Sequence, residues 1–173
     1  MTDKNDENSR LTQTYNRMMS HLKAALDLSE KDTPPLEQLL HNAKSKLVEL
    51  EEATLEEAEK VGTYLKRDIE DVANYFAGPE AKELSDWIKF DIEQIETRTL
   101  ELFSSVADKT KLALFELEQR AAHAHEYHTG EITSIGTLYC ASCSQAMHFT
   151  TTGHIPPCPK CHRTIFLRDT DAS

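Results

Sequence analysis

Four cysteines in two short pairs constrain this chain more than any other feature of its sequence. Cys140 and Cys143 form one C-x-x-C pair, Cys158 and Cys161 form the other, and fourteen residues separate the two pairs. A C-x-x-C turn directs two thiolates toward one centre, so two such turns can supply all four ligands of one tetrahedral metal site. Thiolates favour Zn²⁺ or iron over cations that prefer oxygen. The pattern predicts one Zn²⁺ per chain, with a mononuclear iron centre as the alternative.

Short β-branched and aromatic segments surround the cysteine pairs. The segments 132–139, 146–151 and 164–167 are typical of strands, and the turn-forming segment 152–157 lies between the second of them and the second pair. This order predicts a zinc ribbon. A module of about forty residues buries too little apolar surface to fold alone, so the metal must supply folding free energy, about 10–16 kcal/mol for structural zinc. Four protein ligands leave no position for water, so we expect a structural metal rather than a catalytic one.

Three other interpretations of the cysteines fit the sequence less well than zinc. Disulfides need an oxidising compartment, and the first residues lack the basic and apolar segments of a secretory signal. The segment from Cys158 to His162 matches the C-x-x-C-H pattern of haem attachment, but haem would leave Cys140 and Cys143 without a role. A thioredoxin-like redox pair needs a βαβ pattern that the sequence lacks. Zinc explains all four cysteines together.

Apolar residues recur at helical spacing through most of the preceding sequence. Thr33 and Pro34 predict the start of a second helix, and the capping-box pattern 54–57 predicts either a sharp joint or a stutter. Gly78-Pro79 predicts a helix end, and a further apolar row follows over 80–125. We therefore predict a mainly α protein: a long antiparallel helical hairpin or coiled-coil-like bundle, followed by a small C-terminal β zinc ribbon. The rows before the turn are Leu11, Tyr15, Met18, Leu22 and Ala25, then Leu36, Leu40, Ala43, Leu47 and Leu50, then Ala58, Leu65, Ile69, Val72 and Phe76.

Charge divides the chain at the same place. Residues 1–128 hold 27 acidic and 16 basic side chains, whereas residues 129–173 hold three of each. An acidic surface repels nucleic acids and anionic membranes, and no segment approaches the ~18 consecutive apolar residues of a membrane-spanning helix. We expect a cytoplasmic protein that binds no membrane. The predicted domains are a disordered tail over 1–9, an acidic helical region over 10–128, the zinc ribbon over 130–168 and a tail over 169–173.

Two clusters of polar residues suggest further sites. His123, His125 and His128 could hold a second metal, but on a helix the first two point about 200° apart, so we expect none. A second cluster groups six carboxylates around Thr54 and is either a solvated face or a surface for a basic partner. It consists of Glu49, Glu51, Glu52, Glu56, Glu57 and Glu59.

The segments 108–110 and 127–131, together with Cys-Pro-Lys-Cys at 158–161, resemble the YbeL-like family of bacterial zinc-ribbon proteins, whose function is uncharacterised. The resemblance spans nearly the whole chain in layout and is specific from about residue 100 onward. His162 follows the last cysteine where many ribbons carry glycine, which alters the turn without removing a ligand. The resemblance implies a cytoplasmic metal-binding protein with a helical N-terminal region, and it implies no enzymatic activity.

These observations favour a non-enzymatic interaction or regulatory protein with a helical arm and a zinc ribbon as its recognition head. We find no catalytic constellation, and we expect a protein partner and an oligomer, if one forms, through the helices. One alternative is a transcription effector of DksA-like architecture, although the predicted hairpin tip 77–80 offers one carboxylate. Another is a nucleic-acid-associated ribbon that uses Lys160, Arg163 and Arg168. Because only the ribbon needs metal, we expect metal removal to unfold the ribbon alone.

Overall fold

Three helices and six short strands make up the described part of the chain. The computed structural model describes residues 2–28, 34–77 and 126–168. A helical part followed by a small β part confirms the coarse fold prediction. The predicted turn at Gly78-Pro79, the helix over 80–125 and the tail over 169–173 lie outside the described residues. The elements are α1 (Thr2–Leu28), α2 (Leu36–Glu49), α3 (Leu55–Ala77), β1 (Tyr127–His128), β2 (Ile132–Thr133), β3 (Gly136–Cys140), β4 (Ala146–Phe149), β5 (Gly153–His154) and β6 (Ile165–Leu167).

The three helices pack on one another through the predicted apolar rows. Leu22, Leu47 and Leu65 are completely buried in one core to which α1, α2 and α3 all contribute. Leu50 lies just beyond the last turn of α2, and nearly half of its surface faces water. Within the described ranges, no helix combines the length and the apolar character needed to cross a bilayer.

The first helix is longer than the sequence predicts. It begins at Thr2, whereas we predicted a disordered tail over 1–9. Helix propagation adds one hydrogen bond for each residue fixed, so a helix nucleated by the buried row from Leu11 onward extends into polar sequence at little cost. Residues 4–7 are exposed, which fits a polar extension without packing partners.

A tight turn separates α2 from α3, so the sharp joint is the alternative that the structure contains. The amide of Glu52 donates to the carbonyl of Leu47 at 2.9 Å, and the amide of Glu51 donates to the carbonyl of Val48 at 3.1 Å. This is the Schellman pattern, which places the residue after the C-cap in the left-handed region. Glu51 has φ 55° and occupies that position without being glycine.

The predicted capping box starts α3. The amide of Thr54 donates to Glu57 Oε2 at 2.9 Å, and the amide of Glu57 donates to Thr54 Oγ1 at 3.2 Å. The Thr54 amide therefore lowers the pKa of Glu57 below its usual value. By contrast, α2 begins after Pro35 without a side-chain cap, and the predicted cap residue Thr33 lies outside the described residues.

The β part forms two antiparallel sheets. Four strands run in the order β1-β6-β3-β4, and β2 pairs with β5. We predicted that residues 127 and 128 end the helical region, but they form β1 because Tyr127 pairs with Phe166 of β6 and is completely buried. Pairing with β6, rather than a pattern in the local sequence, is the reason that these residues form a strand.

The ribbon and the helices share one packing boundary. Ile132 and Ile135 are completely buried and belong to the helical core rather than to the core around the cysteines. The segment from β2 to the start of β3 therefore lies against the helices, and α1 and α3 both contact β2. The sequence assigns both isoleucines to a ribbon strand and contains no sign of this boundary.

Candidate metal centre

The two cysteine turns meet at one point. Cys140 ends β3 and Cys143 lies in the turn that leads to β4, while Cys158 and Cys161 lie in the turn between β5 and β6. All four Sγ atoms lie within 4.8 Å of one another. The Sγ atoms of Cys140 and Cys161 lie 3.4 Å apart, and those of Cys143 and Cys158 lie 3.6 Å apart. The structure brings together the four residues that the sequence predicts as ligands.

These separations suit a tetrahedral metal. With Zn–S bonds of about 2.3 Å, the sulfurs of a regular tetrahedron lie about 3.8 Å apart. A disulfide needs sulfurs about 2.05 Å apart, and all four cysteines are free thiols. Four sulfur donors without an oxygen ligand match zinc or iron and do not match Mg²⁺ or Ca²⁺.

Backbone amides and neighbouring thiols set the acidity of the second pair. Burial raises the pKa of Cys158, but the amides of Cys161 and Lys160 lower it, and the balance brings it to about 6. The amide of Arg163 lowers the pKa of Cys161, whereas burial and the neighbouring sulfurs raise it to about 12. Sulfurs this close therefore resist ionising together, and a bound cation removes that obstacle.

The two turns have the same backbone geometry. Ser144 and His162, which follow the second cysteine of each pair, have φ 58° and 59°. Their amides donate to the carbonyls of Cys140 and Cys158, both at 2.9 Å. The left-handed conformation costs about 1–2 kcal/mol for a residue with a Cβ atom. The sequence suggested an altered second turn at His162, but the structure keeps the same turn and places a strained histidine in it.

A buried ionic cluster lies between the metal centre and the helices. We call it the junction cluster. Because it combines two cations with three carboxylates and two tyrosines, its formal charges are largely paired. Its members are Tyr15, Arg67, Asp68, Asp71, Tyr127, Glu131, Thr133, Ser134 and Arg168.

Asp68 of α3 lies at the centre of the junction cluster. Its side chain has no contact with water. The hydroxyl of Tyr15 donates to it at 2.5 Å, and from the ribbon the amide of Ser134 donates at 2.9 Å and the hydroxyl of Thr133 at 3.2 Å. Burial and the Asp68 carboxylate raise the pKa of Tyr15 well above its usual value, so its hydroxyl stays a donor. Asp68 thus joins α1, α3 and β2.

Arg168, the residue after β6, supplies one buried cation. Its Nη2 atom lies 3.5 Å from Asp68 Oδ1 and donates to Thr133 Oγ1 at 2.7 Å. Its Nε atom donates to the hydroxyl of Tyr127 at 2.8 Å, and that hydroxyl donates to Asp71 of α3. Burial opposes the charge of Arg168, but Tyr127, Asp68 and Asp71 raise its pKa, so it stays cationic.

Arg67 supplies the second cation from α3. Its Nη1 atom donates to Glu131, and its Nη2 atom donates to the carbonyl of Ile132 at 3.1 Å. Its guanidinium also lies 3.8 Å from the centre of the Tyr127 ring, within the range of a cation–π contact. Arg67 therefore fixes both ends of the segment that connects β1 to β2.

The sequence gives little sign of the junction cluster. It suggests Arg168 as one of three surface cations of the ribbon, but the Arg168 side chain is 7% exposed, so only Lys160 and Arg163 of those three face water. One feature could have revealed the cluster. Asp68 follows Leu65 by three residues and precedes Val72 by four, which places a carboxylate on the buried face of α3.

The carboxylates around Thr54 lie among polar and basic side chains, and the histidine cluster is described only at His128. Three of these carboxylates lie beside cations, Glu57 beside Arg10 at 2.8 Å, Glu59 beside Lys44 at 3.0 Å and Glu49 beside Lys46 at 3.7 Å, and Glu52 lies 2.9 Å from His21. This supports the interpretation as a solvated face. Exposed His128 lies 3.7 Å from Glu126, and His123 and His125 lie outside the described residues.

Comparison with known proteins agrees with this geometry. The sequence profile of a family described as "zinc-ribbon containing domain" matches residues 8–170. The chain is 26% identical over 160 residues to "Uncharacterized protein YbeL" of Escherichia coli strain K12, covering 92% of this chain and 96% of that protein. The protein of the same name from Escherichia coli O157:H7 matches with the same figures. No solved structure matches. The predicted resemblance to the YbeL-like family is confirmed.

Proposed function

Because the chain belongs to the family of the zinc-ribbon containing domain, we propose that it binds one Zn²⁺ through Cys140, Cys143, Cys158 and Cys161 and acts as a non-enzymatic interaction protein. The observation that carries the zinc assignment is the meeting of four Sγ atoms within 4.8 Å. Four protein ligands close the coordination shell, so the metal has a structural role and leaves no position for substrate. When bound, Zn²⁺ neutralises part of the thiolate charge and fixes the two turns.

A protein partner suits the surface of the ribbon better than a nucleic acid. Lys160, His162 and Arg163 are exposed around the second cysteine pair, and 39% of the nearby Ile165 is exposed. Tight binding to phosphates needs several cations on one surface. Arg168 is withdrawn into the junction cluster, so the ribbon offers two cations beside an apolar side chain. We propose that this surface, 160–165, is the recognition head.

Metal analysis tests the first half of the proposal. Purified protein should contain close to one zinc per chain, and Cys158→Ser should lose it because three thiolates and a hydroxyl bind zinc more weakly. Ser142→Ala is the matched control, since Ser142 is exposed within the first turn and should leave the zinc content unchanged. A fully metalled Cys158→Ser/Cys161→Ser variant would contradict the site.

Affinity capture tests the proposed interaction with a protein partner. The zinc-loaded chain is used as bait in a lysate of its source organism, beside a Lys160→Glu/Arg163→Glu variant. A protein that uses the recognition head should be lost from this variant and retained by Lys4→Glu/Lys60→Glu, which reverses two exposed charges on the helices. Zinc content and far-UV circular dichroism should match in all three baits. A partner captured equally by all of them would refute the recognition head.

Each alternative function predicts a different experimental result. Recovery of RNA polymerase would favour an effector of DksA-like architecture, an analogy that rests on layout alone. Fluorescence anisotropy with DNA and RNA at ~0.15 M salt should show at most the weak, ~10⁻⁴–10⁻⁶ M binding of non-specific contacts. Submicromolar binding that depends on zinc would instead establish a nucleic-acid-associated ribbon.

A further inference from the structure

We infer that the junction cluster couples zinc binding in the ribbon to the stability of α1 and α3. Loss of the metal then loosens the helices, and damage to the cluster on its helical side weakens zinc binding. The inference rests on the zinc binding proposed above, but it does not depend on any partner. Three connections between the cysteines and Asp68 carry it.

The first connection runs through β6. Cys140 pairs with Phe166, and the amide of Ala141 donates to the carbonyl of Ile165 at 3.0 Å. Phe166 is completely buried in the core that contains the cysteines. Arg168 follows two residues later and lies 3.5 Å from Asp68. The position of Arg168 therefore depends on β6, a strand that pairs with the candidate metal ligand Cys140.

The second connection is Tyr127. Its side chain packs in the core that contains Cys140 and Cys158, opposite Phe166 in register. Its hydroxyl accepts from Arg168 at 2.8 Å and donates to Asp71 of α3. One side chain therefore belongs to the core around the cysteines and to the junction cluster, so displacement of that core moves a hydrogen-bond partner of α3.

The third connection runs through β2 and β5. The backbones of Glu131 and Ile155 bond at 2.9 Å, and Ile155 packs in the core with Cys158. From the other end of the same β2 segment, the amide of Ser134 and the hydroxyl of Thr133 donate to Asp68. The hydrogen-bond donors to Asp68 on the ribbon are thus fixed by a strand pair that leads to the second cysteine turn.

Loss of the metal should therefore leave Asp68 short of partners. Three of its neighbours, Thr133, Ser134 and Arg168, lie in the ribbon, whose fold depends on the metal. A buried carboxylate that loses hydrogen bonds and a counter-charge is strongly destabilising, so the helices open locally to hydrate it. These contacts at the boundary between ribbon and helices favour coupled unfolding over the independent unfolding that the sequence suggests. Because coupling is reciprocal, helix opening must weaken zinc binding by the factor by which zinc suppresses opening, so a substitution at Asp68 that favours opening should lower the zinc affinity.

Hydrogen exchange of the full chain tests the forward direction. Zinc-loaded protein is compared with protein treated with EDTA under a thiol reductant, and exchange is followed at the amides of 65–72. We expect about 5–150-fold faster exchange without zinc, the range of ordinary coupling between sites. Arg168→Met should give fast exchange even with zinc bound. The control Arg17→Met removes an exposed cation from α1 and should match the wild type.

Zinc competition with a chromophoric chelator tests the reverse direction. Asp68→Asn should bind zinc about 5–150-fold more weakly, whereas Glu56→Gln, which neutralises an exposed carboxylate of the same helix, should leave the affinity unchanged. If Asp68→Asn does not fold, Tyr15→Phe removes one donor to Asp68 and should weaken zinc binding in the same direction. Exchange in 65–72 that is equal with and without zinc, or wild-type zinc affinity in a folded Asp68→Asn or Tyr15→Phe, overturns the coupling alone. A wild-type chain that binds no zinc overturns the proposed function as well.

Discussion

Arg168 lies 3.5 Å from Asp68, with both side chains withdrawn from water, and this pair joins the end of the zinc ribbon to the middle of α3. Its partners are shared, since Thr133 donates to Asp68 and accepts from Arg168. An ion pair of this kind adds little net stability compared with well-packed apolar residues, but removal of one partner leaves the other charge buried and unpaired. We therefore expect the pair to favour this one arrangement of ribbon and helices more than it adds net stability.

Removal of the Arg168 guanidinium should lower the stability of the zinc-loaded protein. We expect Arg168→Met to lower the free energy of unfolding of the zinc-loaded protein by about 3–5 kcal/mol, because Asp68 and Asp71 both lose a buried cation and Asp68 keeps only Arg67, at 3.5 Å. Arg17→Met, at an exposed position of α1, should change it by less than about 0.5 kcal/mol. Chemical denaturation followed by circular dichroism measures both. Equal effects of the two substitutions would mean that Arg168 contributes no more than a surface cation.

The hydroxyl of Tyr15 should contribute measurably by itself. It donates to buried Asp68 at 2.5 Å, and a hydrogen bond to a charged group is worth about 1.5–3 kcal/mol. We expect Tyr15→Phe to lower the free energy of unfolding by that amount. Tyr64→Phe serves as the control, since it keeps the ring near Arg67 and removes a hydroxyl that is not among the donors to Asp68. A Tyr15→Phe protein as stable as the wild type would show that Thr133, Ser134 and the arginines satisfy Asp68 without Tyr15.

The capping box of α3 should give a stability difference that depends on pH. The Thr54 amide holds the pKa of Glu57 below its ordinary value of 4.5, so the unfolded chain takes up this proton first as the pH falls. The contribution of Glu57 is therefore complete above pH 4.5 and is lost as the pH falls through the lower folded value. Because glutamine can keep the capping box, Glu57→Gln removes mainly the charge near the helix N-terminus and the ion pair with Arg10. We expect it to cost about 0.3–1 kcal/mol at neutral pH and progressively less below pH 4.5. Thermal melts of both proteins from pH 7 to 3 measure this, and a difference that stays constant would argue against a contribution from the Glu57 charge.

The second cysteine turn should become more stable when its strain is removed. His162 has φ 59°, a conformation that glycine adopts without the ~1–2 kcal/mol cost of a Cβ atom. Greater freedom of glycine in the unfolded chain offsets about 0.4–1 kcal/mol of that gain. We expect His162→Gly to stabilise the zinc-loaded protein by up to about 1 kcal/mol, measured by thermal melting. His162→Ala keeps the Cβ atom and should bring no such gain, so equal gains from both variants would locate the effect in the imidazole rather than in the backbone.

Local chemistry explains the predictions that succeeded. The cysteine spacing placed Cys140 and Cys158 in matching turns, and the helical rows placed Leu22, Leu47 and Leu65 in one core. The Thr54–Glu57 pattern predicted a helix start because both partners lie three residues apart and need only the first turn of the helix. Each of these features depends on residues that are close together in the sequence.

The less successful predictions concern residues whose environment depends on contacts with residues that are distant in the sequence. Tyr127 and His128 were assigned to the helical region, and only pairing with β6 makes them a strand. Arg168 was counted as a surface cation of the ribbon, and only contact with α3 buries it. A charged residue near the end of a module is usually exposed, so the sequence of the ribbon alone favours the wrong environment.

Spacing along the chain sets the geometry of a C-x-x-C turn, a helix face and a capping box, so the four candidate zinc ligands, the buried faces of the helices and the start of α3 can be predicted from local sequence. The packing of the ribbon against α3 and the meeting of Asp68 and Arg168 out of water cannot be predicted in this way. Burial of a charge is tolerated only where partners from several elements converge, and this convergence depends on how α1, α3, β2 and β6 pack rather than on any one segment.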